Sequence, residues 1–253
     1  MYGAERQQRL GQQVRQDGRL DVAAAAEEFA VAPETIRRDL AALERQGLVR
    51  RVYGGAILLE RRDFEPAVNQ RDRTRAAEKD RIAHAALDLL PERGTVLVDA
   101  GTTTSRFAGM LPSGRDLTMV TNALPVASQL VARDIGDLHM LGGRVRGTTL
   151  AAVESWALDV LHTLTVDVGF FGTNGFSVAR GCTTPDSAEA AVKAAMIRAC
   201  RRRVLLTDHS KYGDDQFARF ADLNEIDVVV CDDGLDEQVV TELGEAGVEV
   251  VLA

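Results

Sequence analysis

Seven short apolar runs rich in β-branched residues recur from residue 95 onwards, and helical patterns separate most of them. The runs span residues 95–98, 117–121, 138–141, 166–171, 204–207, 226–231 and 248–252. Between residues 78 and 90, for example, Ile82, Ala86 and Leu89 share one helical face. Strands and helices that alternate in this way predict an α/β domain with a doubly wound, mainly parallel sheet between two layers of helices.

The loops beyond these runs are the expected place for a ligand, because parallel sheets bind ligands at the carboxyl ends of their strands. The first loop contains Gly101 and three threonines, residues 102–104, at the start of a predicted helix. Free N–H groups, hydroxyls and the positive end of the helix dipole at such a position suit a phosphate or a carboxylate. The sequence GK[ST] does not follow and GxGxxG does not occur, so nothing indicates a nucleotide-binding loop.

Polar residues also follow the other runs. Asn122, the glycines at 142–143, the segment 172–175 and Lys211 all lie shortly after an apolar run. Together they offer amide partners for hydroxyl groups and a cation for a phosphate, which is the combination that a phosphorylated polyol requires. On the helix predicted after residue 186, Glu189 and Lys193 are four residues apart, and this spacing favours a surface ion pair between them.

The first 57 residues carry a different pattern, of three short helices followed by a hairpin. A polar helix is expected over residues 6–16, a second begins after Asp21, which can cap it, and a third begins at Pro33. Gly47 ends the third helix and Gly54 begins the predicted turn of the hairpin, which Gly55 completes. The third helix has an apolar stripe for packing, at Ile36, Leu40 and Leu43.

The opposite face of the third helix carries small residues and arginines. Small side chains let a helix enter the major groove of DNA, and arginines near its N-terminus can reach guanine edges or phosphates. Two further arginines lie at the base of the hairpin, where a wing commonly contacts phosphate or the minor groove. The candidate DNA-binding residues are Thr35, Arg37, Arg38, Arg45, Arg50 and Arg51. The less specific alternative is a small helical bundle with a solvated arginine face.

The charge of the chain is unevenly distributed. Its formal net charge of −8 and isoelectric point of about 5.1 argue at first against nucleic-acid binding. Residues 1–62, however, hold 11 arginines and nine acidic residues, a charge of +2, whereas residues 63–253 hold 19 basic and 29 acidic residues, a charge of −10. Because the head is only weakly basic, specificity must come from a few well-placed arginines. Hydrophobic residues at 45% and charged residues at 27% exclude a disordered, collagen-like or membrane-spanning chain.

A mixed-charge stretch, residues 58–75, separates the two patterns and is interpreted as a linker. We therefore expect a DNA-binding domain over residues 1–57 and a ligand-binding domain over residues 76–253. The N-terminus is polar within five residues and lacks an apolar signal segment. The cysteines are too few and too far apart for a disulfide framework or a zinc site: Cys182, Cys200 and Cys231. We expect buried thiols in a reducing cytoplasm, and neither a metal nor a cofactor.

Several motifs resemble the DeoR family of bacterial transcriptional regulators. PETIRRDLAALERQGLVRRVYGGAI, residues 33–57, is similar to the winged helix-turn-helix signature of that family. VDAGTTTSRFAGML, LTMVTNALPVA, LGGRVR, VDVGFFGTNGFS, CTTPDSAEAAVKAAMI and LLTDHSKYG resemble its effector domain. The resemblance extends from about Glu5 to Val230 and implies a sensor of phosphorylated sugars, similar in fold to ribose-5-phosphate isomerase.

The resemblance also implies which residues line the effector pocket. They are Asp99, Gly101, Thr102, Thr103, Thr104, Asn122, Gly142, Asn174, Gly175, Asp186, Glu189, Lys193 and Lys211. Three positions depart from the family pattern: Ala32 replaces a usual serine, Tyr53 replaces a usual histidine in the wing, and Glu154 begins a segment where many relatives have glycine. The surroundings of Glu154 look closest to regulators of fructose uptake and phosphorylation.

The expected function is therefore repression of a sugar-metabolism operon, relieved by a phosphorylated sugar, with fructose 1-phosphate as the best candidate. The expected partners are operator DNA, the effector and further copies of the chain in a homodimer or homotetramer, without a membrane. The alternative is a sugar-phosphate isomerase-like enzyme with a DNA-binding appendage. Isomerisation needs a carboxylate base, and the loop 172–175 contains no acid, so Asp186 or Glu189 would have to substitute. A metabolite-binding or scaffolding protein would leave the arginine-bearing helix unused.

Overall fold

The structure of the protein, a computed structural model, describes residues 3–45, 48–58 and 65–253. The chain divides into two compact units, Met1–Pro66 and Ala67–Ala253, and each has its own hydrophobic core. Within the described ranges, no helix is both long and apolar enough to cross a membrane.

The first unit combines helices with a small antiparallel sheet, whose strands are ordered β1-β3-β2. Its described elements are α1 (Gly3–Asp17), β1 (Arg19–Asp21), α2 (Val22–Glu28), α3 (Pro33–Arg45), β2 (Val49–Val52) and β3 (Gly55–Leu58). Asp21 caps α2 as predicted, because its carboxylate accepts N–H bonds from Ala23 and Ala24. The predicted stripe of α3 packs into the core, where each member is at most 2% exposed: Ile36, Leu40 and Leu43. The predicted helix end at Gly47 lies outside the described residues.

The hairpin between β2 and β3 gives each of its two glycines a separate role. Gly54 has a φ of +81°, in the region that favours glycine, and it occupies the turn together with Tyr53. Gly55 belongs to β3 and pairs with Asp21, and a Cβ there would lie 2.1 Å from the carbonyl oxygen of Leu20. The turn is thus one residue earlier than predicted, and Gly55 instead allows the close approach of β1.

The second unit is built on a seven-stranded sheet in which every pairing is parallel. Its helices are α4 (Val68–Arg73), α5 (Ala76–Ala85), α6 (Thr102–Met110), α7 (Leu124–Ala132), α8 (Ser155–Leu161), α9 (Ser187–Ala199) and α10 (Glu237–Glu245). Its strands are β4 (Arg93–Val98), β5 (Asp116–Thr121), β6 (Asp137–Met140), β7 (Arg144–Arg146), β8 (Ala151–Val153), β9 (Val166–Phe171), β10 (Gly175–Ser177), β11 (Gly181–Thr184), β12 (Cys200–Leu206), β13 (Ala218–Ala221), β14 (Val228–Cys231) and β15 (Glu249–Leu252).

The strand order is β15-β14-β12-β9-β4-β5-β6, and each of the seven predicted runs forms one of these strands. Alternate side chains of the strands face two separate cores, so that Val96 and Val98 pack with α5, α6 and α7 whereas Leu97 packs with α8, α9 and α10. This confirms the predicted α/β class with helices on both faces. The next strand after β4, which is β5, lies on one side of β4, and β9 lies on its other side. Such a reversal of strand order creates a crevice between the carboxyl ends of β4 and β9.

Two smaller sheets lie beyond the carboxyl ends of the main strands. β7 and β8 form a hairpin that bridges to Ala123 after β5, and β10, β11 and β13 form an antiparallel sheet that follows β9. The sequence pattern does not reveal them, because each of their strands is only three or four residues long. They add walls around the crevice.

The start of the second unit requires a correction. Residues 67–75, which we assigned to a linker, pack with the ligand-binding domain, since the N–H of Val68 donates to the carbonyl of Thr148 and Arg106 binds Asp72. Residues 59–64 of the predicted linker lie outside the described part of the chain. All three cysteines are free and buried, as expected, and burial raises the pKa of the Cys182 thiol to about 12.

Candidate functional sites

The third helix of the first unit presents its arginines outward and one carboxylate inward. Arg37 and Arg38 are exposed, whereas Asp39 is 4% exposed. Asp39 accepts a hydrogen bond from the Nε of Arg6 at 2.6 Å and another from the Nε2 of Gln7 at 2.9 Å. These bonds attach α1 to α3 and so fix the orientation of the arginine face. Sequence reasoning missed Asp39, because a carboxylate on an amphipathic helix is usually solvated.

The wing is tied to the same helix. The Nε of Arg51 donates to Glu44 at 2.7 Å and its backbone N–H donates at 2.9 Å, and these two bonds hold the pKa of the Glu44 carboxyl below its usual value. Arg50 is exposed on the neighbouring position, and Arg37 pairs with Glu34 at the surface. Four of the six predicted DNA-binding side chains therefore lie at the surface of one domain, at Arg37, Arg38, Arg50 and Arg51.

Two predicted DNA-binding residues, Thr35 and Arg45, are not among the exposed arginines, and two further positions depart from the family pattern. Thr35 is half-buried in the first turn of α3, and the side chain of Arg45 lies outside the described part of the structure. Ala32 precedes α3 and contributes only its carbonyl, which accepts the N–H of Thr35 at 2.9 Å. The hydroxyl that the family usually places there is thus replaced by a backbone contact. Tyr53 is fully exposed at the tip of the wing.

The crevice of the second unit contains a buried ion pair. Asp99, at the end of β4, accepts hydrogen bonds from the Nζ of Lys193 and from the N–H of Gly172, at the end of β9. The Nζ of Lys193 also donates to the carbonyl of Gly172 at 3.0 Å and lies 5.1 Å from the ring centroid of Phe220. Asp99 and Lys193 are 0% and 1% exposed. Lys193 therefore does not form the predicted surface pair with Glu189, because it reaches across the crevice instead.

Glu189 has its own partners one turn earlier on α9. Its Oε2 accepts hydrogen bonds from Arg146 and Thr149, both at 3.2 Å. Asp186 caps α9 by accepting the N–H of Glu189 at 2.9 Å, and it pairs with the Nε of Arg146 at 3.1 Å. Burial raises the pKa of Asp186, but the N–H of Glu189 and the guanidinium of Arg146 outweigh it and leave the pKa below the usual value. Arg146 was absent from the predicted set, although it is the last residue of the LGGRVR motif.

The threonine loop forms the first turn of α6, which begins at Thr102, whereas the sequence pattern predicts a helix over residues 105–111. In the first intrahelical hydrogen bond, the N–H of Ser105 donates to the carbonyl of Gly101. The N–H groups of the three threonines before Ser105 therefore have no acceptor within the helix. The hydroxyl of Thr104 donates to the Gly101 carbonyl at 3.1 Å and is therefore used locally. Thr102 and Thr103 are 8% and 7% exposed, at the mouth of the crevice.

Two buried acceptors of the crevice have no hydrogen-bond partner among the described residues. They are the Oδ1 of Asp99 and the Oδ1 of Asn122, which follow the adjacent strands β4 and β5. The Nδ2 of Asn122 donates to the carbonyl of Ala152 at 3.2 Å, which fixes the amide. Buried polar atoms normally have a partner, so these two oxygens are suited to donors such as hydroxyl groups.

The glycines of the predicted pocket are placed differently from one another. Gly175 is buried in β10, where a Cβ would lie 1.7 Å from the carbonyl oxygen of Asp214. The neighbouring Asn174 accepts a hydrogen bond from the hydroxyl of Thr184 at 3.2 Å. Gly142 is exposed in the loop before β7, with open space where a Cβ would lie.

A group of charged residues lies next to the crevice at the end of β12. Lys211 is half-buried there, in the 3-10 turn that follows Asp208. Lys79, on α5, is 5% exposed and donates to the carbonyls of Arg71 and Thr74, the second at 2.8 Å. Burial is the main reason that the pKa of Lys79 is lowered to about 8; the negative charge of Asp208 opposes this shift and the positive charge of Lys211 contributes to it. Sequence reasoning missed Lys79, because it precedes the first predicted strand rather than following one.

His209 is held in place beside this group. Its Nδ1 lies 2.5 Å from the Oδ2 of Asp232, and its N–H donates to the Oδ1 at 2.8 Å. Burial raises the pKa of Asp232, but its bonds to His209 leave the pKa below the usual value. No group of three or more metal-ligating side chains occurs among the described residues.

Two family models match the chain and together cover most of it. Residues 6–62 match the DeoR-like helix-turn-helix domain, and residues 74–233 match the DeoR C terminal sensor domain. An uncharacterized HTH-type transcriptional regulator of Haemophilus influenzae is 32% identical over 100% of this chain and 98% of its own length.

Two further relatives carry more specific names. The glycerol-3-phosphate regulon repressor of Escherichia coli K12 is 32% identical over 87% of this chain and 86% of its own length. The uncharacterized HTH-type transcriptional regulator FruR of Bacillus subtilis is 34% identical over 78% of both chains. Among solved structures, ribose 5 phosphate isomerase A from Neisseria gonorrhoeae is similar over 53% of this chain and 52% of its own, with 20% identity and a TM-score of 0.39.

A winged helix-turn-helix unit joined to a parallel α/β sensor unit defines a class of regulators that bind DNA. The chain belongs to the DeoR family of transcriptional regulators. The expectation of a regulator rather than an enzyme is confirmed by these matches, since the relatives are named as transcriptional regulators and repressors.

Proposed function

We propose that the protein represses an operon for sugar metabolism and releases its operator when a phosphorylated sugar binds in the crevice between β4 and β9. Fructose 1-phosphate is the first candidate, because the segment around Glu154 resembles fructose regulators and because one relative carries the name FruR. One observation carries the proposal. The N-terminus of α6, the lysines Lys79 and Lys211, and the unpartnered buried Oδ1 atoms of Asp99 and Asn122 lie near the same edge of the main sheet.

The phosphate of the effector has a suitable position at the start of α6. The N–H groups of Thr102 and Thr103 and the positive end of the helix dipole would bind it there. Lys79 supplies positive charge nearby, since its pKa responds to both Lys211 and Arg106, one turn further along α6. This local field is needed because the residues from 63 onwards carry a net charge of −10.

The hydroxyl groups of the effector have suitable partners deeper in the crevice. The Oδ1 atoms of Asp99 and Asn122 are acceptors and would each receive one hydroxyl hydrogen. The Asp99–Lys193 pair fixes the position of the first acceptor, since Lys193 binds the other carboxylate oxygen. A ligand with hydroxyls but no phosphate would use only half of these groups, so we expect it to bind weakly.

Operator binding would use the exposed arginines of the first unit, in a homodimer or homotetramer that reads repeated half-sites. Arg38 is the best placed to reach a base edge, because it lies on the exposed face of α3 beside the small residues Ala41 and Ala42. The effector can weaken operator binding only by as much as its affinity differs between the two arrangements of the protein. A coupling of about 1–3 kcal/mol would weaken it about 5–150-fold.

The proposal is tested with a duplex that the wild-type protein selects from a randomised DNA library, hereafter the selected duplex. Fluorescence anisotropy measures its affinity with D-fructose 1-phosphate, D-glucose 6-phosphate, sn-glycerol 3-phosphate or unphosphorylated D-fructose. We expect one phosphate to weaken binding by about fivefold or more and D-fructose to have no effect. Failure of all three phosphates would contradict the proposal, and Arg38→Ala, which should lose about 1–3 kcal/mol of duplex affinity, tests the DNA surface independently.

A further inference from the structure

Residues 67–75, hereafter the strap, lie across the mouth of the candidate effector site. At one end, the N–H of Val68 donates to the carbonyl of Thr148, in the turn of the β7–β8 hairpin. At the other end, the Nε of Arg75 lies 3.6 Å from Asp208, at the end of β12. Thr148 adjoins Thr149, which binds Glu189, so both ends of the strap touch segments that carry candidate pocket residues.

The middle of the strap is fastened to α6 by one arginine. The Nε of Arg106 donates to the Oδ1 of Asp72 at 3.0 Å, and its second terminal nitrogen donates to the backbone carbonyl of the same residue at 3.1 Å. Its remaining nitrogen binds Asp80 on α5 at 2.6 Å. Arg106 lies one turn after Thr102, the residue at which we expect the phosphate. A cavity of about 420 Å³ separates α4 from α6 and α7 beside this contact.

Lys79 holds the end of α4. Its ammonium donates to the carbonyls of Arg71 and Thr74 at the end of the helix, and the Arg71 carbonyl also accepts the N–H of Thr74. The same ammonium lies within the electrostatic influence of Lys211 and Asp208. One cation thus holds the strap and also lies within the electrostatic influence of Arg106, one turn after Thr102 on α6. A phosphate bound at the start of α6 would compete with the two carbonyls for its hydrogens.

The hydrogen bonds and the ion pair that fasten the strap are polar contacts near the protein surface. None of the residues of α4 is buried, and the helix spans only six residues, a length that has little stability of its own. Arg75 has a φ of +53°, which costs a non-glycine residue free energy and persists only while its surroundings enforce it. Such a segment opens at a lower free energy than the sheet beneath it.

We propose that the strap transmits effector binding to the DNA-binding domain, to which the chain leads directly. Without effector, Lys79 and Arg106 fasten the strap to the sensor. A phosphate at the start of α6 draws the ammonium of Lys79 away from the Arg71 and Thr74 carbonyls, the strap is released from the sensor, and this change passes along the chain towards the DNA-binding domain. The inference rests on the proposed function, because it requires a phosphate at that site.

Hydrogen exchange of the full-length protein measures the state of the strap directly. The reporters are the amides of Gln70, Arg71 and Thr74, whose hydrogen bonds lie within the strap. We expect the panel phosphate that weakens binding of the selected duplex to accelerate their exchange about fivefold or more. A phosphate that weakens duplex binding while strap exchange stays unchanged would overturn the inference and leave the proposed function intact.

Asp72→Asn tests the strap without any sugar phosphate. Asp72 is half-exposed, so the variant should fold, and it loses the charged bond to Arg106. We expect faster strap exchange and about fivefold weaker binding of the selected duplex in the absence of effector. Asp233→Asn is the matched control, because it removes an aspartate bonded to an arginine, Arg81, outside the strap. Faster exchange with unchanged duplex affinity, or an equal effect of both variants, would refute the role of the strap.

Inactivity of all three panel phosphates would count against the proposed function alone. In that case the comparison of Asp72→Asn with Asp233→Asn still decides whether the strap controls DNA affinity. The two proposals therefore fail in different measurements.

Discussion

At the scale of single residues, Lys79 shows how burial changes the chemistry of a side chain. Its ammonium is charged in the unfolded chain up to a pKa near 10.5, but burial lowers its pKa to about 8 in the folded protein. Between these two values the unfolded state binds more protons than the folded state, so raising the pH through this window favours folding. Other groups also titrate in this pH range. Comparison with a variant that lacks the ammonium of Lys79 removes their contribution and isolates that of Lys79.

Lys79→Met should therefore change how stability depends on pH. As the pH rises from 7.5 to 10.5, we expect the wild type to gain about 3 kcal/mol or less relative to Lys79→Met, since each pKa unit corresponds to about 1.4 kcal/mol. Urea denaturation of both proteins at several pH values measures the difference. Parallel stability curves would show that the ammonium of Lys79 titrates normally.

Glu154 illustrates the opposite case, in which the backbone and not the side chain is unusual. Its φ of +78° and ψ of −164° lie in a region that is accessible almost exclusively to glycine, and a larger residue there costs about 1–3 kcal/mol. A glycine, which the family resemblance leads us to expect in this segment, would adopt this conformation without strain. The compensating ion pair with Arg144 is half-exposed and contributes about 1 kcal/mol or less.

Glu154→Gly should consequently stabilise the protein by about 1 kcal/mol, because the relief of strain exceeds both the lost ion pair and the greater freedom of glycine in the unfolded chain. Glu154→Ala is the control, since it removes the same ion pair but keeps the strain, and it should be no more stable than the wild type. Thermal unfolding compares the three proteins. Equal stability of the glycine and alanine variants would argue against strain.

At the scale of elements, the seven main strands could be predicted from the sequence because each is an apolar run between helical patterns. The three-residue strands β1, β7, β8 and β10 could not, since they are too short to show a period. The Asp99–Lys193 pair could not be predicted either, because its residues are 94 positions apart. The helical spacing instead favoured Glu189 as the partner of Lys193. The local sequence pattern thus predicts the helices, the strands and the loops that carry a site. Contacts between side chains that are far apart in the sequence depend on tertiary packing, which a local pattern does not specify.

The contact between α1 and α3 is the element-scale feature that we expect to matter for DNA binding. Asp39→Asn should destabilise α1 by about 1–3 kcal/mol, because a nearly buried guanidinium loses its negatively charged partner and the amide retains only one of the two acceptor oxygens that bind Arg6 and Gln7. Hydrogen exchange of α1 amides measures the loss. Glu34→Gln is the control on the same helix, since its exposed pair with Arg37 contributes about 1 kcal/mol or less. Similar exchange rates in both variants would show that the bonds of Asp39 do not stabilise α1 against α3.

At the scale of the whole molecule, a net charge of −8 and a DNA-binding function are compatible because charge acts locally. Screening at physiological salt limits interactions between exposed charges to about 8 Å. The carboxylates of the sensor unit are therefore poor competitors against an arginine that touches a phosphate. The affinity of the protein for DNA should depend on which arginine is present and little on the total charge.

Arg50→Gln and Arg198→Gln separate these two possibilities, because each removes one exposed positive charge from the same chain. Arg50 lies in the wing, whereas Arg198 lies in the last turn of α9 in the sensor unit. If Arg50 contacts a phosphate, its loss should reduce the slope of log affinity against log salt by about 0.9 for each DNA-bound head. Arg198→Gln should leave the slope unchanged. Anisotropy with the selected duplex at several salt concentrations measures both slopes, and equal reductions would mean that bulk charge, and not placed contacts, governs the binding.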